Sequence, residues 1–567
     1  MFSNLQDFIK HLEKNNQLAR IKTEVNPELE ITEIYDRVVK QQGKALLFEN
    51  VQGSKMPLLI NAFGTYDRMK MSLGVDDLTK IQKRIENLVH IRPPKSFREA
   101  VSTLNTVKDI FKFPPKKVRK ARCQEVVKKE NASLSELPII KCWPEDGGKF
   151  ITLGQVITQS LKTGNQNVGM YRLQMFDKKT LGFHVHIHHT GAQHYHEYKE
   201  AGKKMPVSIA LGGDPACIYS ATAPLPPEID EYLFAGFLRN KNINIVKCIT
   251  NDLYVPADAE IVIEGYVDPS EPLHLEGPFG DHTGYYSLAD MYPVLHVTAI
   301  THCKNPVYPT TVVGRPVQED CYLGWATERI FLPLIKMLFP EVVDYHLPFW
   351  GIFHNVMFIK IKKYYPFQAQ RLMQGIWGTG QMTFTKLIFV FDSDIDLTDL
   401  HSVIKAILKN CDFEKHVTFS EGALDVLDHS AQQPIYGSKI GFDCTTKLKE
   451  ENVITQNRSE NNIHVIAVDK RNAFDGKKAV TESIEKYPFV IAVDKHVDIN
   501  NLPEVLFRLG NNIDPKRDSV QKNGHIGFDA TTKLASEGFT REWPKDIEMD
   551  VATKKLVDQK WSSYGIS

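Results

Sequence analysis

The segment HLEGPFGDHTGYYS, residues 274–287, places two carboxylates, Glu276 and Asp281, among three glycines, a proline and two histidines. Residues five apart on an extended strand face opposite sides. Both acids therefore reach one pocket only if Gly277-Pro278-Phe279-Gly280 reverses the chain between them. In a partly dry cleft two carboxylates push each other's proton affinity apart, leaving one ionised and the other able to hold a proton near neutral pH. That suits general acid/base chemistry. The competing reading is a turn whose acids cap backbone amides.

A second cluster, NQNVGMYRLQMF, residues 165–176, carries Arg172 at the end of an expected strand, where an arginine is commonly a surface ion-pair partner. It is followed by GFHVHIHHTGAQHYHEY, in which His184, His186 and His188 alternate on one strand face, with His189, His194 and His196 around them. Such a face is either a metal site or a polar barrel lining, and neutral imidazoles suit zinc. There is no HExxH. Glu231 opens the helical pattern EYLFAGFLR, a position that by itself stabilises a helix N-terminus.

Three kinds of texture must position these groups. Residues 1–110 mix helical patterns (LQDFIKHLEK, ITEIYDRVVKQ, DLTKIQKRIENLV) with short strands (LARIKTEV, KALLFENV, PLLINAF), and the basic stretch KFPPKKVRKARC, 112–123, reads as a solvated connector. From about 135 to 315 short Val-, Ile- and Tyr-rich runs separated by Gly, Asn, Asp and Pro predict a barrel or sandwich. After 320 helices return, followed by the strand KLIFVFD. An internal repeat closes the chain: KLIFVFDSDIDLTDL and GSKIGFDCTTKL recur as PFVIAVDKHVDINNL and NGHIGFDATTKL, matching Asp396 to Asp498 (offset 102) and Asp443 to Asp529 (offset 86), with ENVITQNRSENN as the linker.

At 567 residues, with 69 basic against 69 acidic side chains, the chain has room for several cores and no net charge to favour nucleic acid or anionic lipid. Eight scattered cysteines without a CxxC pair favour a reducing compartment. The N-terminus reads as an amphipathic helix rather than a targeting segment, and no apolar run reaches the ~20 residues of a membrane span. The expectation is a cytoplasmic protein, brought to a membrane surface only by a lipophilic substrate.

The ordered series CWPEDGG, NVGMYRLQ, HIHHTGAQHY, PVSIALGGDPA, EYLFAGFLR, VKCITNDLYVPADAEIVIEGY, EGPFGDHTGYY and FTKLIFVFD resembles the UbiD family of decarboxylases. The resemblance implies a carboxy-lyase that uses prenylated FMN, supplied by a UbiX-type flavin prenyltransferase, with a divalent ion, usually Mn²⁺, at the cofactor phosphate and K⁺ as a further ion. It implies an α+β and α/β multidomain fold: an N-terminal α/β domain (1–118), a central split β-barrel holding the flavin (119–318), a C-terminal α/β domain (319–450), and the second copy with a tail (451–567). Carried over by motif, Asn167, His188 and Glu231 would hold the metal. Met170, Tyr171, Arg172, His184, Val185, His186, His189 and Lys386 would line the flavin. Arg172, Glu276 and Asp281 would form the catalytic trio, with Arg172 gripping the substrate carboxylate and Asp281 returning the proton that replaces CO₂. The chain departs from relatives in His184-Val185-His186, where tryptophan is common, and in the duplicated C-terminal element.

The resulting expectation is decarboxylation of a 3-polyprenyl-4-hydroxybenzoate-like acid in ubiquinone biosynthesis by a homo-oligomer that packs strands such as KLIFVFD and PFVIAVD. The rivals are a naphthoate-type acid on a menaquinone route, a metal-dependent hydrolase built on the histidine strand, and an FMN-binding protein without decarboxylation.

Overall fold

The computed structural model describes residues 2–89, 112–186, 189–226, 229–448, 451 and 463–566. The chain is a mixed α/β protein that divides into two compact units, 1–327 together with 546–567, and 328–545. The tail expected to accompany the second C-terminal copy thus belongs to the first unit. There the helix Val551–Lys560 packs on the helix Glu30–Lys40, and Glu30 receives both Lys560 and the Tyr564 hydroxyl. All eight cysteines are buried and none forms a disulfide. Among the described residues no helix is long and apolar enough to cross a membrane.

The first unit begins with the helices and strands that the N-terminal periodicity predicts. Strands Leu18–Ile21, Ala45–Phe48 and Leu58–Ile60 form a small sheet that is completed from far along the chain by Tyr308–Pro309. The stretch 112–123 is not only a connector, because Lys116–Val118 pairs in parallel with Asn244–Lys247. Two exposed lysines on an edge strand look like linker sequence, since charge on an edge deters further pairing.

The centre of the unit is an antiparallel sheet in the order Lys149–Ile151, Leu173–Met175, Thr180–Gly182, Val294–His302, Ile261–Val267, Met205–Leu211, Gln155–Gln159, Gln166–Met170, with Val126–Lys128 added beside Val294–His302. Its connectivity forces it to curl. Met170 ends the last strand of that order and Leu173 begins the second, yet three residues span at most about 10 Å. The link from Ile151 to Gln155 makes the same jump in the other direction. Arg172 therefore sits on the seam where the two ends of the sheet approach. Alternating apolar residues from both ends and the middle (Phe150, Val156, Leu173, Ile209, Ile263, Leu295) fill one buried cluster.

In the second unit the repeat runs further than strand similarity suggests. The first copy orders its strands Val342–His346, Val356–Ile361, Leu387–Asp392, Tyr436–Asp443, Val417–Ala423, and the second orders His464–Val468, Phe489–Asp494, His525–Asp529, Ser519–Lys522. Each has parallel pairs inside and a matching antiparallel edge, and the first copy carries a second antiparallel edge, Val342–His346, that the second copy lacks. Polar joints recur too. Lys363 Nζ donates to Thr445 Oγ1 at 2.9 Å and pairs with Glu451 at 2.6 Å, as Lys470 does with Thr531 at 3.0 Å and Glu537 at 2.8 Å. The Asp396–Asp498 match is real in structure, since each caps the backbone two residues on, at Thr398 and Asn500. Apart from Glu451 the expected linker lies outside the described residues.

The two copies share one core. Phe389, Phe442, Phe489 and Phe528 belong to the same buried cluster, and Phe413 bridges them with ring centroids 6.1 Å from Phe442 and 5.5 Å from Phe489. KLIFVFD and PFVIAVD are therefore covered within the chain, and the exposed packing edges expected of them for oligomerisation are not there. Phe413→Ala should lower the stability of this unit by about 3–5 kcal/mol, because it removes a fully buried ring from the joint. Chemical denaturation measures this; a loss below about 1 kcal/mol would show that the copies do not depend on each other.

Candidate active site

The seam residue Arg172 meets both acids of the 274–287 segment. Its Nε donates to Glu276 Oε1 and its second terminal nitrogen to Glu276 Oε2, both at 3.0 Å, a two-pronged contact that fixes the guanidinium plane. The remaining terminal nitrogen pairs with Asp281 Oδ2. The guanidinium carbon also lies 4.8 Å from the centre of the Phe279 ring. Glu276 is fully buried and the Arg172 side chain 8% exposed, so these charges persist only because they are paired. The expected reversal exists: His274–Glu276 pairs with Asp290–Tyr292, while Phe279–Gly280 pairs with Tyr286–Ser287, and the chain turns between the two ribbons.

The expected division of protonation states does not. Burial pushes the Asp281 carboxyl up, but the His282 hydrogen bond at 3.0 Å and the Arg172 charge outweigh it and hold Asp281 well below the usual range. Burial likewise raises Glu276, and the His184 hydrogen bond with the Arg172 charge brings it below its ordinary value. The spacing argument counted two acids and left out the cation between them. A carboxyl that burial does push up to about 7 is Asp320, at the start of the helix Glu319–Leu338, with the Asp281 charge adding to the rise against the opposing influence of His282.

The strand expected to carry the histidines ends at Gly182, and His184 and His186 follow in irregular backbone, their rings edge-on to each other at 4.6 Å. His184 Nδ1 lies 3.0 Å from Glu276 Oε2, and its Nε2 lies 2.6 Å from His186 Nε2. Tyr292 covers His184 with centroids 4.2 Å apart, His186 stacks on His189 at 5.0 Å, and Tyr171 on His189 at 5.0 Å. Burial lowers His184 and takes His186 down to about 2, so both are neutral imidazoles. With the anionic Glu276 accepting from Nδ1, His184 Nε2 is left to accept from His186. Val185 and Tyr171 line Gly191, where a Cβ would lie 3.1 Å from Val185 and 3.2 Å from Tyr171. At Gly169 a Cβ would lie 2.3 Å from the Tyr171 phenol. Met170, the last residue of its strand, is half-buried.

Of the three expected metal ligands, His188 lies outside the described residues. Glu231 Oε2 accepts the N–H of Val168, the neighbour of Asn167, at 3.0 Å, while the Asn167 amide donates to the Tyr171 hydroxyl at 3.3 Å. Burial pushes the Glu231 carboxyl up to about 7. Among the described residues no group of three His, Cys, Asp or Glu could hold a metal, a count to which Asn167 cannot contribute. Lys386 belongs to the second unit. Its fully buried ammonium pairs with Asp428 at 2.7 Å and donates to Ser430 Oγ and to the carbonyls of Asn511 and Ile513. Phe279, His282, Tyr292 and Asp320 were not singled out from the sequence. Phe279 and His282 stand inside the quoted motif, but Tyr292 and Asp320 reach the site only through sheet pairing and a helix start far along the chain.

The chain matches the N-terminal, Rift-related and C-terminal domains of 3-octaprenyl-4-hydroxybenzoate carboxy-lyase at residues 9–88, 116–316, and 321–444 with 452–535. It is 50% identical over 452 residues to an uncharacterized protein of Aquifex aeolicus, covering 79% of this chain and 93% of that one. An uncharacterized protein of Helicobacter pylori strain 26695 is 38% identical over 98% of this chain and 96% of its own length. Among solved structures, HmfF from Pelotomaculum thermopropionicum, a UbiD-class enzyme in complex with FMN, matches at 27% identity and a TM-score of 0.68, covering 81% of this chain and 96% of that one. Vanillic acid decarboxylase of Sedimentibacter hydroxybenzoicus in its closed form matches at 27% identity and 0.70, covering 86% and 100%.

Removing the shared cation should reverse the pH dependence of stability. In the native protein both acids sit below their unfolded values, so their stabilisation is present above the ordinary carboxylate range and lost as pH falls through it. In Arg172→Met burial, the largest single influence on both acids, is opposed only by the His282 and His184 hydrogen bonds and raises them, so stability should fall as pH rises from about 5 to about 8. At the upper end the loss should reach about 3–5 kcal/mol. Urea unfolding across that range decides it, and parallel curves for both proteins would refute the pairing.

Proposed function

The chain belongs to the UbiD family of carboxy-lyases, and on that premise we propose that it decarboxylates an aromatic acid, a 3-polyprenyl-4-hydroxybenzoate-like intermediate of ubiquinone biosynthesis, with prenylated FMN as cofactor. The observation that carries the reading is the buried Arg172 held between Glu276 and Asp281. A substrate carboxylate entering this site competes with Asp281 for the guanidinium. Glu276, with two hydrogen bonds to Arg172 and a third to His184, keeps the fork in plane while this happens. Asp281, displaced from its cation and set beside a second anion, rises in proton affinity and takes up a proton. When CO₂ departs, that proton is delivered to the ring carbon it leaves, and Asp281 returns to Arg172.

Prenylated FMN, when bound, supplies the electron sink that no amino-acid side chain provides for this bond cleavage. The stacked rings of Tyr171, His189 and His186, with His184 edge-on to His186, beside the glycine positions that a Cβ would fill, suit a planar aromatic group. Asn167 and Glu231, with His188, would hold a divalent ion such as Mn²⁺. A carboxyl that burial, with the Asp230 charge beside it, raises to about 7 would there be kept ionised by the cation. Lipophilic substrates fit a further observation: Leu273, Leu275, Leu288 and Met291 are exposed on and around the ribbon that ends in Glu276, with Leu275 63% exposed.

Protein made without a flavin prenyltransferase of the UbiX type should bind flavin yet release no CO₂, and co-expression with that enzyme should restore release from prenylated hydroxybenzoates. Full turnover by a flavin-free, metal-loaded preparation would instead favour a hydrolase-like site on the histidine segment. In the loaded enzyme, Asp281→Asn should lower kcat by roughly 10²–10⁴ while flavin content holds. Glu231→Ala should lose metal and flavin together, and full occupancy of both in that variant would reject the ligand assignment.

A further inference from the structure

The turn that carries the two acids is held from outside as well as by its own ribbon. Between Glu276 and Asp281 three of its backbone groups are satisfied by residues far along the chain. The Gly277 N–H donates to Gln174 Oε1 at 2.7 Å, the Pro278 carbonyl accepts from the Gly147 N–H at 2.7 Å, and the Gly280 N–H donates to Asp146 Oδ1 at 2.7 Å. Two of these partners come from one loop, CWPEDGG, residues 142–148. Asp146 is 4% exposed, and its other oxygen accepts the N–H groups of Trp143 at 2.9 Å and Cys142 at 3.1 Å, so one carboxylate ties the loop's own start to the residue preceding Asp281. Trp143 in turn donates its indole N–H to the Val313 carbonyl at 2.8 Å.

The contact is too close for side chains. A Cβ at Gly147 would lie 2.2 Å from the Gly277 carbonyl oxygen, and one at Gly280 would lie 2.3 Å from Trp143 Cδ1. Gly277 also has φ +93°, in the left-handed region that favours glycine. Loop and turn are therefore interlocked backbone to backbone, and the separation of the two acids is set by the loop.

We infer that Asp146 is a positioning residue for the reaction: through the Gly280 N–H it fixes Asp281 at one end of the Arg172 fork, so that proton return depends on a side chain that touches neither substrate nor Arg172. The inference rests on the decarboxylase reading for its kinetic consequence but not for its structural one. An acid displaced by even about 1 Å from its productive position can lose roughly 10²-fold in rate. Glu276, which holds the fork that grips the carboxylate, is tied to the loop by different atoms, so loss of Asp146 should act on kcat and leave KM nearly as it was.

The test is a graded series in the loaded full-length enzyme. Asp146→Asn can offer one oxygen to Gly280 but faces the Cys142 and Trp143 N–H groups with an amide nitrogen; Asp146→Ala loses both acceptor oxygens and all three hydrogen bonds. We expect kcat to fall about 10-fold for Asn and about 100-fold for Ala, with KM within about twofold. Gly147→Ala, which presses on Gly277 beside Glu276, should raise KM as well as lower kcat. Crystal structures of the Asn and Ala variants supply a readout independent of turnover, and should show Asp281 shifted on Arg172 in the Asn variant and released from it in the Ala variant, while the contacts of Glu276 with Arg172 remain. An unchanged Arg172–Asp281 contact in these variants overturns the inference even if the wild type proves inactive on every acid tried, which would be a failure of the decarboxylase reading alone. Equal losses in kcat and KM across the Asp146 series would also overturn it, by making Asp146 a general support of the fold.

Discussion

A guanidinium removed from water and held between two carboxylates is the constraint from which the first unit follows. A buried ion of either sign costs several kcal/mol unless paired and hydrogen-bonded, and here the pairing requires three distant segments to arrive together. The curled sheet delivers Arg172 at its seam, the glycine-rich turn delivers Glu276 and Asp281, and the segment just after the strand Thr180–Gly182 delivers an uncharged donor, His184, to Glu276. A protonated His184 would put a second positive charge against Arg172, and burial and that same Arg172 charge depress its proton affinity. The histidines therefore read as polar walls of an anion-and-cation site.

How much of this was legible follows from how local each signal is. The N-terminal helices and the β texture are written in periods of a few residues, so they appear in the sequence nearly as in the structure. The turn at 277–280 is equally local. What spacing could not show is that Arg172, more than a hundred positions away, stands between the two acids and sets both below their ordinary range. The family resemblance put the three residues in one trio, whereas local reading alone left Arg172 an ordinary surface ion-pair partner. Tyr292 and Asp320 meet the site through pairing and packing of remote segments, and their own neighbourhoods in sequence carry no sign of it, whereas Asp146 stands in the CWPEDGG motif without any local mark of what it bonds.

The repeat shows the same limit from the other side. Strand and GFD-x-TTKL similarity revealed the duplication, because those segments are contiguous, but the lysines at 363 and 470 sit in dissimilar surroundings and are recognised as equivalents only by their matching bonds to Thr and Glu. Matching polar joints imply matching backbone paths, since a buried ammonium needs its acceptors within about 3 Å. A lone copy would leave the aromatic face of its sheet in water. The second copy covers it, which is why strands that look like oligomer contacts in the sequence form an internal core.

The chain's return from that second unit adds a further constraint on the acids. After 545 it rejoins the first unit, where the Ile547 N–H donates to the Gly284 carbonyl at 3.2 Å and Asp546 bridges to Tyr285. Gly284 and Tyr285 lie three and four residues after Asp281, and the Asp281 N–H itself donates to the Tyr285 carbonyl at 3.2 Å. The acid at one end of the Arg172 fork is thus held from its N-terminal side by the 142–148 loop and from its C-terminal side by the tail. Glu276, in contrast, sits at the end of a ribbon whose exposed Leu275 and Met291 face each other in register. The backbone around Asp281 is consequently the more tightly held of the two. That is the arrangement expected if one acid has to meet a reacting atom while the other only has to steady a neighbour.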